Sequence, residues 1–270
     1  MKMLEIMRSR RSVRTFDGNA LRPEDARKIL EFAENTETPY GIPITWKLLD
    51  VKKDGLSSPV IVGTDTFIAG KMAKVPYAEE AFGYAFEKIV LFAQSIGVGT
   101  TWIAGTMDRA AFEKAMELAV GEVMPCVSPL GYPAKKMSIR ESMMRKGVKA
   151  DTRMDFGELF FDGSFDAPLT PDKAGQLADA LEAVRIAPST VNKQPWRAVV
   201  CGNRVHFYEM RSKGYVSADG WDIQKIDMGI AFCHFESEAK ECGLDVSMEI
   251  SDPAIHGSGG MVYVATFVIK

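Results

Sequence analysis

The chain has 270 residues, of which 46% are hydrophobic and 26% are charged, and its formal net charge is −3. This composition is typical of a globular protein with one large or two modest domains, and it offers no bulk charge to attract nucleic acid or an anionic membrane. No apolar run approaches the roughly 18 residues that span a bilayer, and the first residues lack an apolar signal-peptide region. We therefore expect a cytoplasmic protein without a nucleic-acid or membrane partner.

Apolar spacing predicts the elements of the first half in chain order. The predicted elements are a helix over 24–33, strands over 46–51 and 59–62, a long helix over 81–96, a loop over 102–105, a helix over 109–119 and a strand end with a turn at 128–133. The long helix is apolar on most of its surface, which is typical of a helix inside a core or at an interface. Residues 134–160 have weak periodicity and are predicted as an extended or helical connector.

The second half repeats this order. The predicted elements are a helix over 174–184, a strand over 198–201, a hairpin turn at Gly202–Asn203, a strand over 205–208 and a closing strand over 261–269. Trp196 matches Trp46, and residues 229–243 match residues 83–97 in five positions of glycine, alanine and phenylalanine. Such self-similarity indicates a duplicated unit. We expect a first half over 1–135, a connector over 136–160 and a second half over 161–270.

A basic segment, residues 8–16, holds four arginines and two serines. Arg10, Ser12 and Arg14 alternate, so an extended backbone would present all three side chains on one side. Guanidinium groups bind phosphate well because their planar fork donates two parallel charge-assisted hydrogen bonds. The charge pattern alone favours a solvated basic surface or a polar N-terminal arm, and a phosphate site stays open as the alternative.

A polar loop is predicted over residues 187–197, whose sequence is Ala-Pro-Ser-Thr-Val-Asn-Lys-Gln-Pro-Trp-Arg. Pro188 ends the preceding helix. Ser189, Thr190 and Asn192 then offer short polar side chains and exposed backbone amides. An ordinary connection between a helix and a strand has a similar composition, so composition by itself does not establish a binding site.

These two motifs, in this order, resemble the nitroreductase family, whose members bind FMN and reduce small oxidised substrates with NAD(P)H. The resemblance covers most of the chain apart from about residues 134–160. It implies an α+β fold with a central, mainly antiparallel sheet flanked by helices, duplicated within one chain. It also implies that Arg10 and Ser12 hold the FMN phosphate, that Arg14 lies near the pyrimidine edge of the flavin, and that Arg11 belongs to the same cofactor-binding segment.

The resemblance implies further cofactor contacts. The loop residues expected along the flavin ring edge are Pro188, Ser189, Thr190 and Asn192. Ala104 and Gly105 resemble the family segment that approaches flavin N5 through backbone groups, although the family often has an acidic residue where Ala104 stands. A basic residue that follows the Gly-Tyr-Pro turn at 131–133 often reaches the phosphate, and the candidates here are Lys135, Lys136 and Arg140.

The two copies differ in a complementary way. In the family, each site of a homodimer takes phosphate contacts from one chain and the Pro-Ser loop from the other. Here the first copy keeps the arginine cluster, whereas its loop counterpart at 38–45 lacks the Ser and Asn; the second copy keeps the loop, and residues 161–165 bring no arginines. We therefore expect one FMN per chain in a monomer that is an internal pseudo-dimer, with further dimerisation left open.

The resemblance implies an FMN-dependent oxidoreductase, with NAD(P)H as electron donor and hydride transfer through flavin N5 to a small oxidised acceptor such as a nitroaromatic or a quinone. No catalytic protein residue is expected, because the cofactor carries the chemistry. Two alternatives stay open: a different flavin reaction on the same fold, such as dehalogenation or dehydrogenation, and a non-catalytic FMN-binding or redox-sensing protein. The four cysteines form no CxxC pair, and no metal site is predicted.

Overall fold

The computed structural model describes residues 2–216, 220–257 and 259–270. The chain divides into two compact units: an N-terminal unit, Ser9–Ala150, and a C-terminal unit, which comprises Met1–Arg8 and Asp151–Lys270. Within the described residues, no helix combines the length and apolar character that crossing a membrane requires.

The N-terminal unit is built on a small antiparallel sheet. Its elements are α2 (Pro23–Glu34), β1 (Thr45–Asp50), α3 (Val51–Asp54), β2 (Thr66–Ala73), α4 (Ala78–Ser95), α5 (Arg109–Ala115), β3 (Glu122–Val123), β4 (Val127–Leu130) and α6 (Ile139–Gly147). Strand β2 is the centre of the sheet, because β1, β3 and β4 all pair with it in antiparallel register.

Helix α4 packs its aromatic side chains against this sheet. Trp46 on β1 lies opposite Gly70 on β2, and its ring lies 5.4 Å from that of Phe86 and 5.6 Å from that of Phe82. A Cβ atom at Gly70 would lie only 2.3 Å from the Trp46 ring. Glycine is therefore required at this position, because it leaves the space that the indole occupies.

The C-terminal unit has a five-stranded sheet. Its elements are α1 (Met3–Ser9, whose last residue falls in the N-terminal unit), α7 (Phe156–Leu159), β5 (Phe160–Asp162), α8 (Pro171–Ala174), α9 (Ala178–Ile186), β6 (Trp196–Cys201), β7 (Arg204–Met210), α10 (Ile223–Glu241), β8 (Val246–Glu249) and β9 (Met261–Ile269). The strand order is β5-β6-β7-β9-β8. Strand β5 runs parallel to β6, and the other neighbouring strands are antiparallel.

Long helix α10 packs on this sheet through phenylalanines. The ring of Phe207 on β7 lies 5.3 Å from Phe232 and 5.4 Å from Phe235, both on α10. Phe267 on β9 completes the cluster, 5.0 Å from Phe235. Aromatic pairs at these distances add to the hydrophobic stabilisation of the core.

The two units share an order of elements, which agrees with a duplicated α+β fold. In each, a helix precedes an antiparallel strand pair whose first strand carries a buried tryptophan, Trp46 or Trp196, and a long helix follows. Helices α4 and α10 also end alike, because Gly97 and Gly243 follow their last turns with φ angles of 79° and 81°. Glycine adopts this left-handed conformation without steric cost.

Two predicted elements of the first half need correction. The strand predicted over 59–62 is wrong: the segment forms a turn, in which only Val62 makes an isolated bridge to Thr15. Pro59 has no N–H to donate to a strand partner, and Gly63 breaks the extension with a φ of 85°. The strand lies instead at β2. Helix α5 also ends at Ala115 rather than at 119, since Glu117 adopts a positive φ of 53°.

Candidate functional site

The basic segment begins in the last turn of α1, and from Arg10 to Phe16 it is extended and lies against the core of the N-terminal unit. Ser12 forms a parallel bridge with Thr100, and Thr15 forms one with Val62. The amide of Val13 donates to the Thr100 carbonyl at 2.8 Å, and the Val13 side chain is buried. Because side chains alternate along an extended backbone, burial of Val13 places Ser12 and Arg14 on the opposite side.

Glu141 on α6 holds this segment from the other direction. Its buried carboxylate accepts hydrogen bonds from Arg11 Nη1 at 2.8 Å, from the Thr15 amide at 2.8 Å and from the Arg14 amide at 3.3 Å. Ser138 caps α6 by accepting from the Glu141 amide. Arg11 is thus paired with a carboxylate inside the unit, so its guanidinium has a structural partner.

A second buried carboxylate, Glu87 on α4, connects two predicted site segments. Its Oε2 accepts from Trp102 Nε1 at 2.9 Å, and its Oε1 lies 3.8 Å from Arg10 Nε. The Arg10 side chain is 7% exposed and that of Glu87 is fully buried. Burial lowers the pKa of the Arg10 guanidinium; the nearby Glu87 opposes this shift and Arg145 adds to it.

Three alternate residues of the basic segment keep unused hydrogen-bond donors within the described part of the chain. Arg10 Nε is buried without a hydrogen-bond partner. The Ser12 hydroxyl and the Arg14 guanidinium also make no hydrogen bond or ion pair to the described residues. Burial lowers the pKa of Arg14 as well, with Glu141 opposing and Arg145 adding to the shift. A buried donor such as Arg10 Nε needs a partner, which a bound anion would supply, and the partly exposed Ser12 and Arg14 could donate to the same anion.

The charges around these donors favour an anion. The guanidinium groups of Arg10, Arg11 and Arg14 lie near the two buried carboxylates, and Arg145 adds a further positive charge that acts on Arg10 and Arg14. Arg145 lies in the last turn of α6 and carries the positive charge that lowers the pKa of both Arg10 and Arg14. Nothing in the sequence pattern singled out this arginine as a site residue.

The basic residues predicted downstream of the Gly-Tyr-Pro turn lie elsewhere. Lys135 and Lys136 are exposed in the turn before α6. Arg140 is also exposed, and its Nη1 donates to the carbonyl of Pro59. None of these three charges contributes to the pKa shifts of Arg10 and Arg14, whereas the charge of Arg145 contributes to both.

The 102–106 segment presents an open glycine. The Ala104 carbonyl accepts from Arg109 Nη2 at 2.7 Å, and Arg109 also donates to the carbonyls of Met124 and Pro125, which fixes the segment against its neighbour. Gly105 is exposed, and a Cβ atom there would meet nothing within 4 Å among the described residues. Its backbone is therefore accessible to a ligand.

In the C-terminal unit, the 187–197 loop is conformationally strained. Val191, Asn192 and Gln194 have φ angles of 44°, 59° and 50°. Positive φ is uncommon for residues other than glycine, and for β-branched valine it is an outlier. Strained backbone of this kind is concentrated at binding and catalytic sites, where the surrounding structure maintains it.

The polar side chains of this loop are engaged in maintaining its shape. Ser189 Oγ accepts from the Gln194 amide at 2.8 Å, and Gln194 Oε1 accepts from the Met154 amide at 2.9 Å. Asn192 Nδ2 donates to the Thr152 carbonyl at 3.1 Å, and Thr190 donates to Asp227. Pro188 is half-buried at the end of α9. Most backbone amides of the loop are engaged as well, since Asn192 N donates to the Ser189 carbonyl and Lys193 N to the Thr190 carbonyl. The polar groups that the sequence suggests for a ligand thus serve mainly to hold the loop in shape.

Two of the residues missed from sequence carry a recognisable signal. Glu87 is a charged residue in the middle of a largely apolar helix, which predicts a buried ionic partner. Glu141 completes the pattern Ser138-Ile-Arg-Glu, in which a serine precedes a glutamate by three residues, as at a capped helix start. Asp227 and Arg145 have no such signal, because only the tertiary structure brings them to the loop and to the basic segment.

Residues 2–239 match the family model described as "Putative TM nitroreductase". The chain belongs to this nitroreductase family. A crystal structure of "a putative nitroreductase" from Thermotoga maritima is 18% identical, with a TM-score of 0.64 over 100% of this chain and 93% of its own. At this identity the likeness shows the fold alone.

Shorter nitroreductases match about half of this nitroreductase-family chain. An FMN-dependent nitroreductase from Clostridium difficile R20291 is 18% identical over 52% of this chain and 94% of its own, with a TM-score of 0.42. A nitroreductase family protein from Clostridium novyi NT is 19% identical over 49% of this chain and 87% of its own, with a TM-score of 0.42. No curated protein matches the chain at a significant level.

Proposed function

We propose that this chain binds FMN and uses it to transfer hydride from NAD(P)H to a small oxidised acceptor, such as a nitroaromatic or a quinone. Membership of the nitroreductase family supports an oxidoreductase. The observation that carries the proposal is the row of unused donors on Arg10, Ser12 and Arg14, beside the positive charge of Arg145. A phosphate monoester has a charge of about −1.5 to −2 at pH 7, which such donors would bind.

We assign the FMN phosphate to Arg10 Nε, the Ser12 hydroxyl and Arg145. Charge-assisted hydrogen bonds from guanidinium to phosphate are shorter and stronger than neutral ones. Arg14 is assigned to the pyrimidine edge, where a fixed positive charge stabilises the negative charge of the reduced flavin. Arg11 supports the segment through its ion pair with Glu141 and is assigned no direct contact.

The flavin ring is assigned to the 189–194 loop and to the backbone of Gly105. The loop side chains already hydrogen-bond within the C-terminal unit, and a Cβ at Gly105 would find open space. FMN, when bound, supplies the redox chemistry by accepting and donating hydride. The protein's share is binding, orientation and electrostatics, and we assign no acid, base or nucleophile to the chain.

FMN reconstitution tests the proposal directly. The chain is incubated with FMN and desalted, and flavin and protein are then quantified. We expect one FMN per chain, since the arginine cluster and the Pro-Ser loop each occur once in the sequence. Two FMN per chain would refute the expectation of a single site, and a folded chain that retains no FMN would refute the cofactor assignment.

Steady-state NAD(P)H oxidation in the presence of a nitroarene or a quinone tests the activity. Turnover that depends on both FMN and the acceptor supports the oxidoreductase. Reduction of the bound flavin without turnover of any acceptor would instead favour a non-catalytic FMN-binding or redox-sensing protein.

A further inference from the structure

The strain in the 189–194 loop needs a restraint, and Asp227 supplies one. Asp227 lies near the start of α10 and is 2% exposed. Its Oδ1 and Oδ2 accept from the Thr190 amide at 2.9 and 3.1 Å, and Oδ1 lies 3.3 Å from Thr190 Oγ1. One buried carboxylate therefore fixes both the backbone and the hydroxyl of Thr190, immediately before the residues with positive φ.

The opposite end of the loop has its own attachment. The Gln194 amide donates to Ser189 Oγ, and the Gln194 side chain accepts from the Met154 amide. Asp227 and Gln194 thus hold the loop on either side of Val191 and Asn192. Between these two attachments the chain has little freedom to relax to an ordinary backbone conformation, because Thr190 on one side and Gln194 on the other are both held by hydrogen bonds.

Helix α10 does not itself need a carboxylate at this position. Asp222 already caps the helix, since its Oδ1 accepts from the Gln224 amide at 2.9 Å. Burial raises the pKa of Asp227 well above its usual range; the hydrogen bonds from Thr190 oppose this shift, and the charges of Asp222 and Glu209 add to it. Burial therefore disfavours the ionised form of this carboxyl group in the folded state, whereas its hydrogen bonds from Thr190 tie it to the loop.

We propose that Asp227 is a positioning residue that holds the 189–194 loop in the conformation that receives the flavin ring. This proposal rests on the proposed function, because it assumes that the ring contacts this loop. A loop fixed before binding increases affinity, since its conformational entropy is lost on folding rather than on binding. Asp227 itself makes no contact with the cofactor under this proposal; it acts through Thr190.

The test compares Asp227→Ala with Asp227→Asn in the full chain. Alanine removes both acceptor oxygens, whereas asparagine keeps one oxygen that can accept from Thr190. We expect Asp227→Ala to weaken FMN binding at least tenfold, measured by flavin fluorescence titration, and Asp227→Asn to recover much of that loss. Hydrogen exchange of the loop amides in the FMN-free protein should accelerate in the same order, with Thr190 affected most.

Glu238→Ala is the matched control. Glu238 is a second buried carboxylate on α10, eleven residues further along the helix and about 16 Å away at 1.5 Å per residue. Burial raises its pKa too. We expect this variant to alter thermal stability without changing FMN affinity or loop exchange, which separates positioning of the loop from general support of the helix.

The outcomes distinguish the two proposals. If the wild-type chain binds no FMN, the proposed function fails, and loop exchange in Asp227→Ala still decides whether Asp227 restrains the loop. If the wild type binds FMN and Asp227→Ala binds it equally well with unchanged exchange, the positioning role is overturned. Should Asp227→Ala not fold, Thr190→Val, which removes the hydroxyl donor to Asp227, provides the comparison, and unchanged FMN affinity together with unchanged loop exchange in this variant would overturn the role.

Discussion

The buried pair of Arg10 and Glu87 offers a way to separate support of the fold from cofactor binding. Arg10 is assigned to the FMN phosphate, yet it also lies 3.8 Å from the carboxylate of Glu87 inside the N-terminal unit. A single substitution of Arg10 therefore changes two things at once. Replacing both members, as Arg10→Met with Glu87→Gln, removes the charges together and leaves side chains of similar length.

The expected energies follow from the burial of the pair. Removing one partner of a buried ion pair costs up to about 3–5 kcal/mol, because the remaining charge stays buried without the opposite charge. Replacing both partners by neutral groups of similar volume is often neutral or stabilising. The amide oxygen that Glu87→Gln introduces can still accept from Trp102 Nε1, as the Glu87 carboxylate does at 2.9 Å. The double variant should thus be more stable than Arg10→Met alone.

Cofactor affinity should follow a different pattern. A hydrogen bond to a charged group contributes about 1.5–3 kcal/mol, so loss of Arg10 should weaken FMN binding roughly tenfold or more. This loss should persist in the double variant although stability returns. Urea denaturation of the FMN-free chains measures the first quantity, and flavin fluorescence titration measures the second.

A double variant that binds FMN as tightly as the wild type would contradict the assignment of Arg10 to the FMN phosphate. Arg10 would then have no part in phosphate binding, and the single variant would have lost affinity only through instability. A double variant as unstable as Arg10→Met would show instead that the pair is not energetically coupled.

Three further predictions concern single positions. Gly105→Ala should leave the free energy of unfolding within about 0.5 kcal/mol of the wild type, because the added Cβ meets nothing within 4 Å, yet it should weaken FMN binding; equal affinity would show that flavin does not approach this backbone. Gly70→Ala should lower the urea midpoint by an amount equivalent to about 1–3 kcal/mol, because its Cβ would lie 2.3 Å from the Trp46 ring, and an unchanged midpoint would contradict this packing. Burial raises the pKa of Asp227 above the value of about 3.9 expected in the unfolded chain. The protonated group therefore stabilises the folded state fully below about pH 4, and this stabilisation is lost as pH rises through the folded-state pKa. Asp227→Asn should therefore gain stability relative to the wild type as pH rises above about 4, and a difference that is constant with pH would disprove the shift.

Local patterns in the sequence were sufficient for much of the fold. The closing strand over 261–269 has the predicted bounds, and the hairpin turn at Gly202–Asn203 joins β6 to β7 as expected. Both signals are local: a run of β-branched and aromatic residues, and a glycine that adopts positive φ in a tight turn. The repeat was also visible, because matching residues keep their order through both halves.

Local patterns failed where a partner distant in sequence decides the structure. Residues 59–62 have the apolar character of a strand, but β1 pairs with β2 at 66–73 instead. A short apolar run does not specify which neighbour pairs with it, and only the assembled sheet makes that choice.

The candidate site divides in the same way. The basic segment and the Pro-Ser loop could both be identified from the sequence, because each is a continuous motif whose residue types carry the chemistry. Only the tertiary structure showed that Glu87 and Glu141 hold the arginines, that Arg145 joins them, and that Asp227 restrains Thr190. Thr190 and Asp227 are 37 positions apart, and Arg11 and Glu141 are 130 apart. The strength of such contacts depends on burial, which a linear sequence does not specify.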